Sequence, residues 1–309
     1  MTRSGLLLID KEPGCTSHDV VQRARRALRQ RKIGHCGTLD PEATGLLVLT
    51  LGKATRLTRF LINAPKTYSG TIRFGISTDT YDVSGQVTEQ RPIASLTDNS
   101  VRTAIAAMVG TMDQAAPPFS AKKIKGVKYY ELARRGEEVP TALKSIDVFD
   151  FSADGVLAGG RQEFTLSCST GTYVRSIAHD LGESLGCGAH LESLRRLKVG
   201  PFSVESARPM DRIAKAAEGA AEGPEDPDLG SAWIRFDEIP LPFPELKADA
   251  QEERRISNGQ TVLLRGTPSA EGDWIKLVNQ RSQLIAVGSV IETIGEGGVG
   301  VVRPRIVFR

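Results

Sequence analysis

Apolar and polar positions along the chain change period several times, and each period predicts a different element. Val20, Val21, Ala24 and Leu28 recur at helical spacing, with Asp19 in the first turn and Ser17 placed to cap it. Val101, Ile105, Met108, Val109 and Met112 predict a second helix. Val174, Ile177, Ala178, Leu181 and Leu185 predict a third, stopping near Gly186. Tyr68, Ile72, Phe74 and Ile76 instead alternate with Thr71, Arg73 and Ser77, the period of a half-buried strand. Phe164, Leu166 and Cys168 alternate likewise, and residues 46–49 read as a fully buried strand. The mixture predicts an α+β domain built on a largely antiparallel mixed sheet flanked by helices.

Between Ala214 and Ala232, alanine, glycine, proline and acids replace the apolar periodicity, which predicts a linker or an exposed loop. Residues 1–232 then form one domain and residues 233–309 a second. The second is rich in short β-like runs at 261–264, 274–278, 284–287 and 299–302, with turns expected at Asn258-Gly259 and Glu296-Gly297-Gly298. It reads as a small β-barrel.

Composition narrows the class. The chain has 309 residues, 40% of them apolar and 25% charged, a balance that fills a real core. No apolar run approaches the roughly 20 residues of a membrane span. The apolar stretch at 6–9 is too short for a signal-peptide core, so a cytoplasmic protein is expected. Cys15, Cys36, Cys168 and Cys187 stand apart with no C-x-x-C. His18, His35, His179 and His190 show no ligand spacing, so neither a disulfide framework nor a metal is expected. Net charge is only +3 (40 basic, 37 acidic), but it is segregated. Arg23, Arg25, Arg26, Arg29, Arg31 and Lys32 form one basic group. Lys122, Lys123, Lys125, Lys128, Arg134 and Arg135 form a second, and Arg195, Arg196 and Lys198 a third. Acids collect at Glu218, Glu222, Glu225, Asp226 and Asp228. Segregated positive charge points to a polyanion partner.

The most informative stretch is GHCGTLDPEATGLL at residues 34–47. Its glycines and Pro41 mark a loop ahead of the buried strand, and Asp40 is fixed between Leu39 and Pro41. The run resembles the G-x-L-D-P-x-A-T-G motif of the TruB family of tRNA pseudouridine synthases, which is related to the guide-RNA-dependent dyskerin-type enzymes. Further stretches share the likeness. DKEPGCTS at 10–17 resembles the family's start, with Glu12 inserted. KTYSG at 66–70 resembles its K-x-Y motif, and GTYVRSIAHDLG at 171–182 its third signature. HLESLRRL at 190–197 resembles the segment that follows. PPFSAKKIKG at 117–126 and YYELARRG at 129–136 resemble runs of the bacterial branch.

The resemblance implies a pseudouridine-synthase domain with a PUA-like RNA-binding domain behind it. It makes Asp40 the catalytic carboxylate, with Arg175 paired to it and Tyr68 stacked on the target base. His35, Tyr173 and Leu194 become substrate contacts. An arginine partner would fix the geometry of Asp40. It also implies a tRNA substrate, modified in the T-loop at position 55 of its T-arm; a monomer with no cofactor and no obligatory protein partner is expected. Uridine and pseudouridine are isomers, so neither redox cofactor nor ATP is called for, in keeping with the missing phosphate loop and dinucleotide fingerprint. A guide-RNA-dependent synthase subunit and a non-catalytic RNA-binding protein or tRNA chaperone are the alternatives.

Overall fold

Leu6, Leu7, Leu8 and Ile9 are almost wholly buried, which puts the first strand inside the molecule. The computed structural model describes residues 3–119, 123–124, 127–128, 143–221, 229–266, 270–294 and 298–308. Strand β1 (Gly5–Lys11) is followed by helix α1 (Ser17–Ala27), β2 (Ile33–His35), β3 (Thr44–Leu51) and β4 (Lys66–Phe74). Next come helix α2 (Asp98–Ala107), β5 (Gly110–Ala115), β6 (Leu143–Ala158), β7 (Arg161–Cys168) and helix α3 (Val174–Ser184). Strands β8 (Ala189–Val199) and β9 (Arg208–Pro209), helix α4 (Met210–Ala221) and β10 (Trp233–Arg235) complete the large unit.

These strands form one sheet in the order β9-β1-β3-β8-β4-β7-β6-β5, with β2 added on β3 and β10 on β1. Only the β1–β9 and β3–β8 pairs of this set run parallel, so the sheet is mixed and largely antiparallel, as the alternating periods predict.

Three local expectations are corrected. The cap of α1 is Thr16, whose hydroxyl accepts from the Asp19 amide at 3.1 Å while Asp19 accepts in return from the Thr16 amide at 2.9 Å. Ser17 is turned inward instead. Helix α2 ends at Ala107, and Met112 lies in β5, because Gly110 at φ 118° turns the chain out of helical geometry. The stretch expected to be a linker from Ala214 begins as helix: alanine is the best helix former, and Met210, Ile213 and Ala217 bury a stripe beside α1. Residues 222–228 lie outside the described residues, and 233–235 pair with β1.

Beyond β10 come β11 (Glu245–Lys247), helix α5 (Ala250–Ser257), β12 (Val262–Arg265), β13 (Trp274–Val278), β14 (Leu284–Ile294) and β15 (Val299–Val307). The strands form a curled half-barrel sheet in the order β11-β13-β14-β15-β12. Asn258-Gly259 supplies the turn that closes helix α5, with Gly259 at φ 74°. Ile256, Val262, Leu264, Ile275, Leu277 and Val302 fill a core of their own. Leu284, Val287, Ile306 and Phe308 join the core of the large unit. Phe60 meets Trp274 edge-on at 4.9 Å, and Phe236 meets Phe308 at 4.8 Å. No described helix is long and apolar enough to cross a membrane.

Candidate active site

The loop between β2 and β3 carries Asp40, and side chains from elements distant in sequence hold it. Lys11, at the end of β1, is 1% exposed, and its ammonium donates to the carbonyls of Glu12 (2.9 Å), Pro41 (2.9 Å) and Ala43 (2.8 Å). An ammonium has three donors, so this one is fully used. The Ser17 hydroxyl accepts from the Leu39 amide at 2.8 Å and lies 3.1 Å from the Leu39 carbonyl. Arg196 on β8, also 1% exposed, donates from Nε to the Leu46 carbonyl at 2.7 Å and from Nη2 to the Gly37 carbonyl at 3.0 Å. Where β3 leaves the loop, Gly45 takes φ 95°, and a Cβ there would stand 2.3 Å from the Arg196 carbonyl oxygen; only glycine fits.

Asp40 faces a cleft of about 550 Å³ whose walls include Tyr68, Lys66, Lys144, Tyr173, Arg175 and Arg196. Arg175 projects from the first turn of α3 and is 6% exposed, whereas the Asp40 side chain is 44% exposed. Nε of Arg175 lies 3.0 Å from Oδ2 of Asp40, an ion pair whose N–H is not aligned as a hydrogen bond. The rest of the guanidinium is committed: Nη1 donates to the Thr80 carbonyl at 3.0 Å and faces Oδ2 of Asp82 at 3.3 Å. Nη2 donates to the Phe119 carbonyl at 3.2 Å. Arg175 therefore sits between two carboxylates, and only Asp40 opens onto the cleft lining.

Tyr68 is 8% exposed and stands opposite Arg196 in the β4–β8 register. Burial pushes its phenol above the ordinary value, so the hydroxyl stays protonated at neutral pH. Burial likewise lowers the Lys66 ammonium from 10.5 to about 8, helped by the nearby positive charge of Arg196. That ammonium donates to the Ile62 carbonyl at 2.5 Å and contacts the Thr170 hydroxyl at 3.0 Å. Tyr173, the residue that caps α3, is fastened by a two-way amide clasp. Its amide donates to Oε1 of Gln114 at 2.8 Å, and Nε2 of Gln114 donates to its carbonyl at 3.0 Å.

A family model described as the N-terminal domain of TruB family pseudouridylate synthase matches residues 25–174 of this chain. A model described as the tRNA pseudouridylate synthase B C-terminal domain matches residues 175–238. A relative from Arthrobacter sp. (strain FB24) called tRNA pseudouridine synthase B is 38% identical over 99% of this chain and 96% of its own length. One of the same name from Aquifex aeolicus is 38% identical over 96% of each chain. The chain belongs to the TruB family. Among solved structures, a chain of an H/ACA RNP bound to a substrate RNA containing 2′-deoxyuridine superposes with a TM-score of 0.76, covering 99% of this chain and 85% of that one. Its identity is 22%, so the likeness is one of fold.

In this TruB-family chain the structure brings Asp40, Tyr68, Tyr173 and Arg175 to one cleft. Two other residues singled out by sequence stand elsewhere. Leu194 lines a separate hollow with Gly70 and Phe164. His35 sits on β2 outside the cleft lining, with a buried Nδ1 that has no hydrogen-bond partner, and burial followed by Arg196 pushes its imidazole below the ordinary value. The basic groups also divide. Arg196 is buried inside the fold, and Arg195 grips Asp10 through two contacts at 3.0 and 2.8 Å, so neither waits for a phosphate. Arg26, Arg29, Arg31 and Lys32 are exposed. Most of the second group, with the motif stretches 120–122 and 129–136, lies outside the described residues. Asp82 and Gln114 went unseen in the sequence. Asp82 stands in a turn-like TDTYDVSG run, where an aspartate reads as turn chemistry.

Proposed function

We propose that this chain isomerises a uridine of tRNA to pseudouridine, with Asp40 acting at the ribose of a nucleotide swung out of its stack. The observation that carries the reading is the contact of Arg175 with Asp40 at the mouth of a cleft of ligand size that Tyr68 also lines. In the reaction the N1–C1′ bond breaks, the uracil turns, and C5 bonds to C1′. The proton leaves C5, and N1 ends protonated, so atoms and electrons balance within the nucleotide. Positive charge grows at the sugar as N1 departs, and a carboxylate aimed by a buried arginine stabilises it. Tyr68, mostly buried yet part of the cleft lining, covers the extruded base. Tyr173 borders the same space. His35 and Leu194 are proposed to meet the RNA beside the flipped nucleotide rather than inside the cleft.

The substrate position is the T-loop uridine at position 55 of the T-arm, and the enzyme works as a cytoplasmic monomer without a guide RNA. Support for stand-alone action comes from relatives called tRNA pseudouridine synthase B that match this chain over nearly its whole length. Residues 1–232 serve as the catalytic unit, and residues 233–309, with the curled sheet, as an RNA-binding unit.

The test is the purified protein alone on an unmodified tRNA transcript carrying 5-tritiated uridine. Wild-type protein releases tritium, and the pseudouridine maps to the T-loop. Asp40→Asn and Asp40→Ala release none, while their tRNA Kd stays within about threefold of wild type. Normal release by Asp40→Ala would end the proposal, and a requirement for a guide RNA would move the chain to the alternative class.

A further inference from the structure

The turn that presents the Thr80 carbonyl and the Asp82 carboxylate to Arg175 contains an unusual residue between them. Tyr81 has φ +64°, one of three non-glycine residues with positive φ among the described residues. A bulky side chain disfavours that backbone, so the surroundings must hold it there. The main chain is tied to β8: the Leu191 amide donates to the Tyr81 carbonyl at 3.0 Å, and the Val83 amide donates to the Leu191 carbonyl at 3.0 Å. The side chain is tied to α3. The Tyr81 ring lies face to face on the His179 imidazole, centroids 3.8 Å apart and planes within 6°. His179 stands one helical turn after Arg175, so both side chains leave the same face of the helix. Nδ1 of His179 is buried and has no hydrogen-bond partner, so at that edge the ring is held by packing alone. Neither ring lines the Asp40 cleft.

We propose that the Tyr81–His179 stack is a positioning pair that pins the Thr80–Asp82 turn onto Arg175 and thereby sets the aim of its guanidinium on Asp40. This rests on Asp40 and Arg175 being the catalytic centre. The left-handed kink at Tyr81 lets the residues on either side of it turn a carbonyl and a carboxylate toward one Nη1. Within the turn, Asp82 Oδ1 accepts from the Thr80 hydroxyl at 2.7 Å and the Ser84 amide at 3.0 Å, leaving Oδ2 for Arg175. The stack joins this rigid turn to the helix that carries Arg175. Its loss frees the turn to drift and changes the chemical step, while the RNA-facing surface is unaltered.

The experiment compares Tyr81→Asn and His179→Ala with Tyr81→Phe and His179→Phe in single-turnover tritium release and in tRNA binding. Asparagine tolerates the left-handed backbone, so Tyr81→Asn removes the ring alone. The ring-less variants lose about ten- to a hundredfold in rate with Kd within about twofold, and both phenylalanine variants recover to within about threefold of wild type. Wild-type rates in folded ring-less variants, rate losses matched by Kd losses, or phenylalanine variants as slow as the ring-less ones would each overturn the proposal. If Tyr81→Asn fails to fold by circular dichroism, His179→Ala against His179→Phe decides, equal rates counting against it. Asp40→Asn in parallel separates the two ideas. Activity in Asp40→Asn removes the catalytic-centre reading, whereas an inactive Asp40→Asn beside fully active ring-less variants removes the positioning pair only.

Discussion

At the scale of single residues, Tyr68 and Lys66 allow separable tests. Tyr68 has a packed ring and a protonated hydroxyl, so each can be removed alone. On the proposed role of Tyr68 over the extruded base, Tyr68→Leu should lower the single-turnover rate by about a hundredfold or more and Tyr68→Phe by about tenfold or less, because stacking needs the ring. Equal losses would assign the work to the hydroxyl. Lys66 bears on stability. Its folded value is near 8, below the 10.5 of an exposed lysine, so between these values the unfolded chain binds more protons than the folded one. Stability contributed at this position therefore rises as pH climbs from 8 to 10.5, and below 8 the full burden of a buried charge is present. Urea midpoints of wild type minus Lys66→Met, measured from pH 7 to about pH 10, should rise with pH; a flat difference would contradict the shift.

At the scale of elements, the β2–β3 loop that carries Asp40 is held in shape by its neighbours. Gly45→Ala should cost about 3 kcal/mol or more by urea unfolding, since both the backbone angle and the Arg196 carbonyl forbid a Cβ; a loss under about 1 kcal/mol would show that β8 can move aside. Much of this level was legible in the sequence. Tyr68, Ile72 and Phe74 announced β4 through their alternation, and residues 34–47 announced the loop through glycine and proline. Local pattern misled where two readings shared a composition. Alanines after Ile213 looked like a linker but form α4, and Met112 kept helical spacing although Gly110 had already ended the helix. Asp82 and Gln114 were illegible for another reason. Their importance comes from touching residues 93 and 59 positions away in the chain, which no local period encodes.

At the scale of the whole molecule, the curled C-terminal sheet is packed on the large unit through apolar contacts. Trp274 receives Phe60 edge-on and the Arg59 guanidinium over its ring at 5.2 Å, while Arg56 donates to the Val307 carbonyl at 2.5 Å and covers the Phe308 ring. Trp274→Ala should then lower the thermal midpoint by several degrees, about 3 kcal/mol for a buried aromatic discounted for its partial exposure. An unchanged midpoint would mean that the two units merely touch.

The clamps on the Asp40 loop come from positions 11, 17 and 196, so a chain halted after residue 174 would own the aspartate yet lack the arginine that sets its surroundings. Catalytic competence should thus emerge late, after distant segments have met. During refolding from urea, recovery of tritium release should lag the return of far-ultraviolet ellipticity, and a newly made chain should stay silent until β8 has docked.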